Sequence, residues 1–447
     1  MGAINLKHTG GGSDVTLSSD GTSLLLDGTE VGGGLELYAE NLNSPTAPSA
    51  TGNNAVAIGD NSTASGSNSF AFGTLSVASA DTTFAAGYDA VSSGGQSFAF
   101  GDNVNATGQF SFCTGGGNAT ASGQSSIAMG YGANASQFNA VSIARNTDAT
   151  GQGSLAIGYN AQAISGANAT ALTNSYASGS NSFAAAIATN SSSYGATGAN
   201  SIAMGYQAKA TGDDSIAIGE ISRAFGTYRP LAVGFQAYAL QSYSTAIGSY
   251  AQADAPNATA LGSSATANGD YSIAIGDAIA DAYFSVAIGK SADTNGIRGK
   301  YAFACNDFSN SGDAQTGTYV LRSDTTNATA EALTTNNGTA STDNQVILPN
   351  NSVYGFTGTV IAREDSSSTN DFAVWEVKGG AVRAANASTT TLGSYNINVI
   401  SKSTGAANWD IALSADTTNG AVAITVTGEA SHNIRWVATI NTTEVTY

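Results

Sequence analysis

Ser126-Ile127-Ala128-Met129-Gly130 returns as Ser201-Ile202-Ala203-Met204-Gly205, Ser215-Ile216-Ala217-Ile218-Gly219 and Ser272-Ile273-Ala274-Ile275-Gly276. The last position of that phrase runs through Gly59, Gly73, Gly87, Gly101, Gly115, Gly130, Ala144, Gly158, Leu172, Ala186, Gly205, Gly219, Gly234, Gly248, Gly262, Gly276 and Gly289. These seventeen positions are spaced by about 14 residues on average, with one long step from Ala186 to Gly205. A fixed period of this kind means a solenoid, each coil one supersecondary unit stacked on the next.

Side-chain size says which solenoid. Within Ser-Ile-Ala-Ile-Gly the period is two, so Ser, Ala and Gly point one way and the two Ile the other. The second half of each coil is again small, as in Asn134-Ala135-Ser136 and Gln252-Ala253-Asp254. Two short strands and two turns in so few residues enclose a thin roll that admits only Ala, Ser or Gly inside. The larger side chains therefore face outward. A continuous apolar stripe marks an interface, and parallel copies about a rotation axis would bury it against itself. The expectation is a homotrimer joined through Ile127, Met129, Ile202, Met204, Ile216, Ile218, Ile273 and Ile275. At the strand spacing of about 4.7 to 4.9 Å per coil, a rod on the order of 80 Å follows.

The repeat resembles the YadA-like head of trimeric autotransporter adhesins, whose Asn-Ser-Val-Ala-Ile-Gly motif is echoed by Asn200-Ser201-Ile202-Ala203-Met204-Gly205. The resemblance implies a left-handed parallel β-roll assembled as a trimer. The pattern departs at Ala144, Leu172 and Ala186, where glycine is lost, and at Arg145, read as a charge in place of an aliphatic residue.

Composition agrees with a β-solenoid: 54 Gly, 5 Pro and 10% charged residues. The formal net charge of −18 argues against nucleic acid, which needs a basic face. Of the two cysteines, Cys113 occupies the slot that Ala fills elsewhere and reads as a small buried residue; Cys305 lies in a different region. Neither a basic start followed by an apolar run nor an 18-residue apolar stretch is found, so no secretory signal and no membrane helix is expected.

Four regions follow. Residues 1–50 are a β leader, with strand-like runs at Val15-Thr16-Leu17 and Ser23-Leu24-Leu25-Leu26, turns at Asp20-Gly21 and Asp27-Gly28, and an extended linker through Ser44-Pro45-Thr46-Ala47-Pro48-Ser49. This leader resembles the N-terminal segments of phage tail fibres, especially from marine phages, which implies attachment to a virion tail or baseplate protein. A capping hairpin for the solenoid is the plainer alternative. Residues 51–290 are the roll, whose Asn-x-Ser/Thr triplets at Asn105, Asn118, Asn168 and Asn257 recur with the period and read as turn chemistry. Residues 291–320 are a transition beside the cations Lys290, Arg298 and Lys300; the resemblance to YadA-like heads, in which a basic neck follows the roll and joins subunits, implies that role for them, and a solvated turn is the alternative.

Residues 321–447 change to alternating strand patterns separated by turns such as Asn336-Asn337-Gly338, which predicts a β-sandwich or jelly-roll-like domain. It resembles phage tail-fibre tips in overall character. All three tryptophans fall here, and Trp375, Trp409 and Tyr354 are candidates for contact with a host surface glycan or outer-membrane component. Filling of the sandwich core is the competing reading, supported for Trp436 by its parity with Ile434 and Ala438.

Catalysis is not expected. Acids follow the glycine at Asp60, Asp102, Glu220 and Asp277, but Thr74, Tyr88, Phe235 and Ser263 intervene, so no pair of carboxylates is stacked as a glycosidase would need. Asp213 and Asp214 read as solvated turn residues, while His8 and His432 stand at opposite ends of the chain. No cofactor or metal is expected, although the sequence leaves a calcium site open. Together these readings favour a trimeric phage tail fibre, virion-borne and extracellular, that binds a host surface. The runner-up is the passenger head of a bacterial trimeric autotransporter adhesin; an ice-binding solenoid lacks its Thr-x-Thr arrays.

Overall fold

The structure, a computed structural model, describes residues 46–188, 192–365 and 370–447, and before them the backbone of four short strands. Among the described residues it is all-β apart from two short 3-10 turns, and the chain divides into compact units Met1–Asn139 and Ala140–Tyr447. In the first, Ile4–Leu6, Val15–Ser19, Leu24–Leu26 and Thr29–Glu30 form an antiparallel sheet in sequence order. The readings at Asp20-Gly21, Asp27-Gly28 and residues 31–45 lie outside the described residues.

The roll is a parallel β-solenoid in both units. In the first, Val56, Phe70, Phe84, Phe98, Phe112 and Ile127 pair in succession along one wall. A second wall runs Thr63, Val77, Val91, Asn105 and Thr120. In the second unit the same ladder runs through Ile202, Ile216, Leu231, Thr245, Thr259, Ile273, Val286 and Tyr301. The inner column is almost entirely alanine: Ala71, Ala85, Ala99, Ala128, Ala203, Ala217 and Ala274 have no exposed surface. Cys113 sits in that column between Ala99 and Ala128, and burial pushes its thiol up to about 11.

The repeated glycine is required twice over. Gly248 has φ +137°, and a Cβ on it would stand 2.2 Å from the carbonyl oxygen of Gly262 in the next coil. Only glycine meets both conditions without strain. Ala144 holds the same slot at φ +106° and Ala186 at φ +56°. Two sequence assignments are corrected by the register. Leu172 pairs with Ile157, so it lies in the outward aliphatic slot, and Thr173 stands beside Gly158. Arg145 follows the glycine slot and so stands where Tyr159 does one coil on, an exposed place rather than an aliphatic one.

Each turn puts one residue in the left-handed region, which Asn tolerates because its short side chain bonds locally. Asn118, Asn168 and Asn257 are such residues, with φ of 65°, 56° and 58°. Asn105 instead lies inside the strand Phe98–Ala106, and its neighbour Asn103 takes the turn. Side-chain amides then form a ladder on one edge: Asn168 donates to Asn181 at 3.0 Å, Asn181 to Asn200 at 3.1 Å, and Asn200 to Asp214 at 3.0 Å.

The last coil runs directly into the C-terminal sandwich. Tyr301–Ala304 pairs parallel with Val286–Asp293 and antiparallel with Ala314–Thr325. The large sheet continues through Ile434–Thr446, Ser352–Glu364, Phe372–Arg383 and Thr391–Lys402. A smaller sheet of Ala330–Ala332, Val346–Ile347, Asp410–Asp416 and Ala421–Thr427 covers one face. Strict alternation along Ile434–Thr446 sends Trp436, Ala438 and Ile440 into the core between the sheets, and leaves Val437, Thr439 and Asn441 outside.

Candidate functional site

The first surface to consider is the wall of the roll that carries the repeated Ile and Met. Ile127, Ile202 and Ile216 are half-buried by their own neighbours. Met129, Met204, Ile218, Ile273 and Ile275 each keep more than a third of their surface exposed. All eight lie on the outside, opposite in parity to the inner column of alanines. In the first unit the same slot is aromatic: Phe84 stacks on Phe98 at 4.6 Å and Phe98 on Phe112 at 5.1 Å. Exposed apolar columns of this length are the kind of surface that associates.

The candidate receptor contacts are corrected. Trp375, Trp409 and Tyr354 have no exposed surface, so none can touch a receptor while the domain is folded. Trp375 stacks on Trp436 at 5.7 Å, and Trp409 lies 6.1 Å from Trp436, which donates its Nε1–H to Thr325 Oγ1 at 3.0 Å. The alternation along their strands places Trp375, Trp436 and Tyr354, since on a half-buried strand the inward parity takes the largest apolar side chains, whereas Trp409 lies just ahead of the strand Asp410–Asp416.

Tyr354 belongs to a buried polar cluster where the roll joins the sandwich. Lys300 Nζ donates to Glu444 Oε2 at 2.7 Å, and both side chains are fully buried. Gln315 Nε2 donates to the same oxygen at 2.8 Å, while Thr442 and Tyr319 hydroxyls donate to Oε1 at 2.6 and 3.1 Å. The rings of Tyr319 and Tyr354 lie 5.8 and 6.0 Å from the ammonium. Both phenols are held well above their ordinary pKa, by burial first and by the Glu444 charge next. Lys300 is thus neither a solvated turn residue nor placed to reach another subunit. Arg298 lies against Asp343 at 3.7 Å and over Tyr283, and Lys290 is exposed.

The outward face of the large sheet carries a feature that no sequence motif announced. Gly355 pairs with Gly380 on the outward face, so two adjacent strands lack side chains at one place. The result is a trough of about 660 Å³, bordered by Thr316, Thr318, Thr357, Lys378, Asn441 and Thr443. A Cβ on Gly355 would meet nothing within 4 Å, so the trough is open space. Its rim offers hydroxyls, one amide and one ammonium, an array suited to polyhydroxylated ligands. The signal in the sequence is Gly inside a strand, which often marks close approach by a ligand.

The adjacent acids Asp213 and Asp214 turn to different partners. Asp213 Oδ1 accepts from the backbone of Ala199 at 3.1 Å, whereas Asp214 accepts from Asn200 and Arg229. His432 faces Glu364 at 2.8 Å; His8 lies outside the described residues. Among the described residues no group of three or more His, Cys, Asp or Glu is gathered to hold a metal, and no helix is long and apolar enough to cross a membrane.

Comparison with known proteins follows this geometry. Residues 50–76, 78–103, 116–143, 149–172, 196–219, 231–251 and 253–278 match the family model described as the YadA head domain repeat (2 copies). Together these segments make up less than half of the chain and lie wholly within the solenoid. No curated protein matches the chain. One solved structure that matches is the tailspike protein gp49 from Acinetobacter baumannii bacteriophage Fri1, described as a capsular polysaccharide depolymerase. The identity is 9%, the alignment covers 88% of this chain and 69% of that one, and the TM-score is 0.21, too low to carry an argument about function. The coils between 50 and 278 are therefore similar to YadA head repeats.

Proposed function

We propose that this chain is a subunit of a trimeric adhesive fibre, a phage tail fibre carried on the virion and extracellular. In this reading the leader attaches to a tail or baseplate protein, the coils associate through the Ile and Met stripe, and the sandwich meets a host surface glycan or outer-membrane component through the glycine-floored trough. The observation that carries the reading is the inversion of the roll. Alanine fills its interior and Met129, Met204, Ile218 and Ile275 stand in water on its surface, an arrangement that favours burial by another copy. Three linked copies of a weak site gain avidity through effective concentration, with no new contact needed. Adhesion, and not bond cleavage, is the proposed activity. The passenger head of a bacterial trimeric autotransporter is the second reading, and the match to YadA head repeats favours it.

The test has two parts. Sedimentation of the full chain is expected to give a trimer, and Met204→Glu with Ile218→Glu a smaller species; a monomeric wild-type chain would sink the association. Gly355→Trp, whose Cβ meets nothing within 4 Å, puts an indole into the trough and is expected to abolish host adsorption at unchanged melting temperature. Normal adsorption by that variant would move recognition elsewhere. Antibody labelling of particles and of cell envelopes then separates the two settings.

A further inference from the structure

Lys209, Arg223 and Tyr238 occupy the same outward slot on the second wall of three successive coils: Lys209 pairs with Arg223, and Arg223 with Tyr238. The chain has only 14 Lys and Arg against 32 Asp and Glu. Three other cations of the C-terminal unit meet carboxylates, Arg229 at Asp214 (3.4 Å), Arg298 at Asp343 (3.7 Å) and Lys300 at Glu444 (2.7 Å). Lys209 and Arg223 have no such partner among the described residues. They lie over aromatic faces instead: Lys209 Nζ is 5.2 Å from the Phe225 ring centre, and the Arg223 guanidinium is 5.7 Å from Phe225 and 5.3 Å from Tyr238.

Two like charges on adjacent strands repel, and in a chain this acidic a carboxylate would be the common remedy. Here both cations lie half-buried against rings, which neutralise no charge and leave it available to an anion from outside. At physiological salt the screening length is about 8 Å, so charges close to the row weigh most on what it attracts. Two cations are too few for nucleic acid, which needs many phosphate contacts. The spacing between coils, about 4.7 to 4.9 Å, is comparable to the advance of one pyranose along an extended polysaccharide. A carboxylated chain lying along this row would meet Lys209 and Arg223 with its carboxylates, and Tyr238 offers a ring to the apolar face of a sugar.

From this ladder we infer that the roll itself binds a linear carboxylated polysaccharide along its second wall, at a site separate from the trough and from the Ile and Met stripe. This does not rest on the reading of the tip. The probe is polygalacturonate, immobilised, with neutral dextran as control, against the full-length chain. Wild-type protein is expected to be retained on polygalacturonate and not on dextran. Lys209→Gln with Arg223→Gln is expected to weaken retention roughly tenfold or more, whereas Arg229→Gln, which alters a cation already paired, changes it less than twofold. Equal retention of the double variant and wild type, or no retention of wild type beyond dextran, overturns the inference. A changed sedimentation coefficient of the double variant also overturns it, because the ladder then serves contact between copies. Gly355→Trp is expected to leave polygalacturonate binding untouched, so failure of the trough and failure of the ladder are read separately.

Discussion

Lys300 and Glu444 form an ion pair with no exposed surface, 2.7 Å from Nζ to Oε2, and it ties the exit of the last coil to the final strand of the chain. A buried pair is costly to desolvate, and removing one partner leaves the other charge uncompensated. Lys300→Met is therefore expected to destabilise the C-terminal unit by about 3–5 kcal/mol. Adding Glu444→Leu is expected to recover part of that loss, as measured by urea unfolding; additive losses in the double variant would show that the pair is not coupled.

Asp293 borders the same cluster, with Gln315 Oε1 accepting from its backbone N–H at 2.9 Å. Burial raises its carboxyl to about 6, with the Asp281 and Glu444 charges adding to the effect and the backbone N–H of Asn295 opposing it. The folded state thus binds this proton more tightly than the unfolded chain, whose ordinary carboxyl titrates near 4. Its contribution to stability falls as pH rises from about 4 to 6, and the full penalty remains above that. Asp293→Asn is expected to flatten this slope and to raise stability at pH 7 by on the order of 2 kcal/mol. A pH profile of unfolding identical to wild type would contradict the assignment.

Trp375→Ala removes a core ring and is expected to cost roughly 3–5 kcal/mol. Adsorption should fall with the folded fraction and in no other way. A loss of adsorption at unchanged melting would return Trp375 to the binding surface.

Two glycines make a paired prediction. Gly248→Ala meets both a φ of +137° and a carbonyl 2.2 Å from the new Cβ, so a loss of at least about 1–3 kcal/mol is expected. Gly355→Ala meets open space at an ordinary φ and is expected to stay within about 0.5 kcal/mol of wild type. Thermal melts of the two side by side check the claim that one glycine builds the coil and the other only clears a surface.

By itself the sequence determined the roll. A five-residue phrase with small residues at alternate places leaves a chain no way to form anything but a thin parallel coil, because the restriction is local and repeats in every unit. It also set which side chains face out, so Met204, Ile218 and Ile275 were legible as surface, and Cys113 as interior. Where one residue of slack entered, at Leu172, counting glycines mislaid the slot and only the pairing with Ile157 restored it.

Tertiary structure decided what the sandwich does with its side chains. Whether Trp375 fills a core or meets a ligand depends on which parity faces the second sheet, and that is settled by strands far apart in sequence. The same holds for Lys300, which looked like one of three cations at a turn until Glu444, 144 residues away, closed on it. The trough at Gly355 and Gly380 and the ladder at Lys209, Arg223 and Tyr238 exist only because pairing brings distant positions into one row. Periodicity fixes a coil because its contacts are near neighbours in sequence, whereas a site is made by contacts that are not.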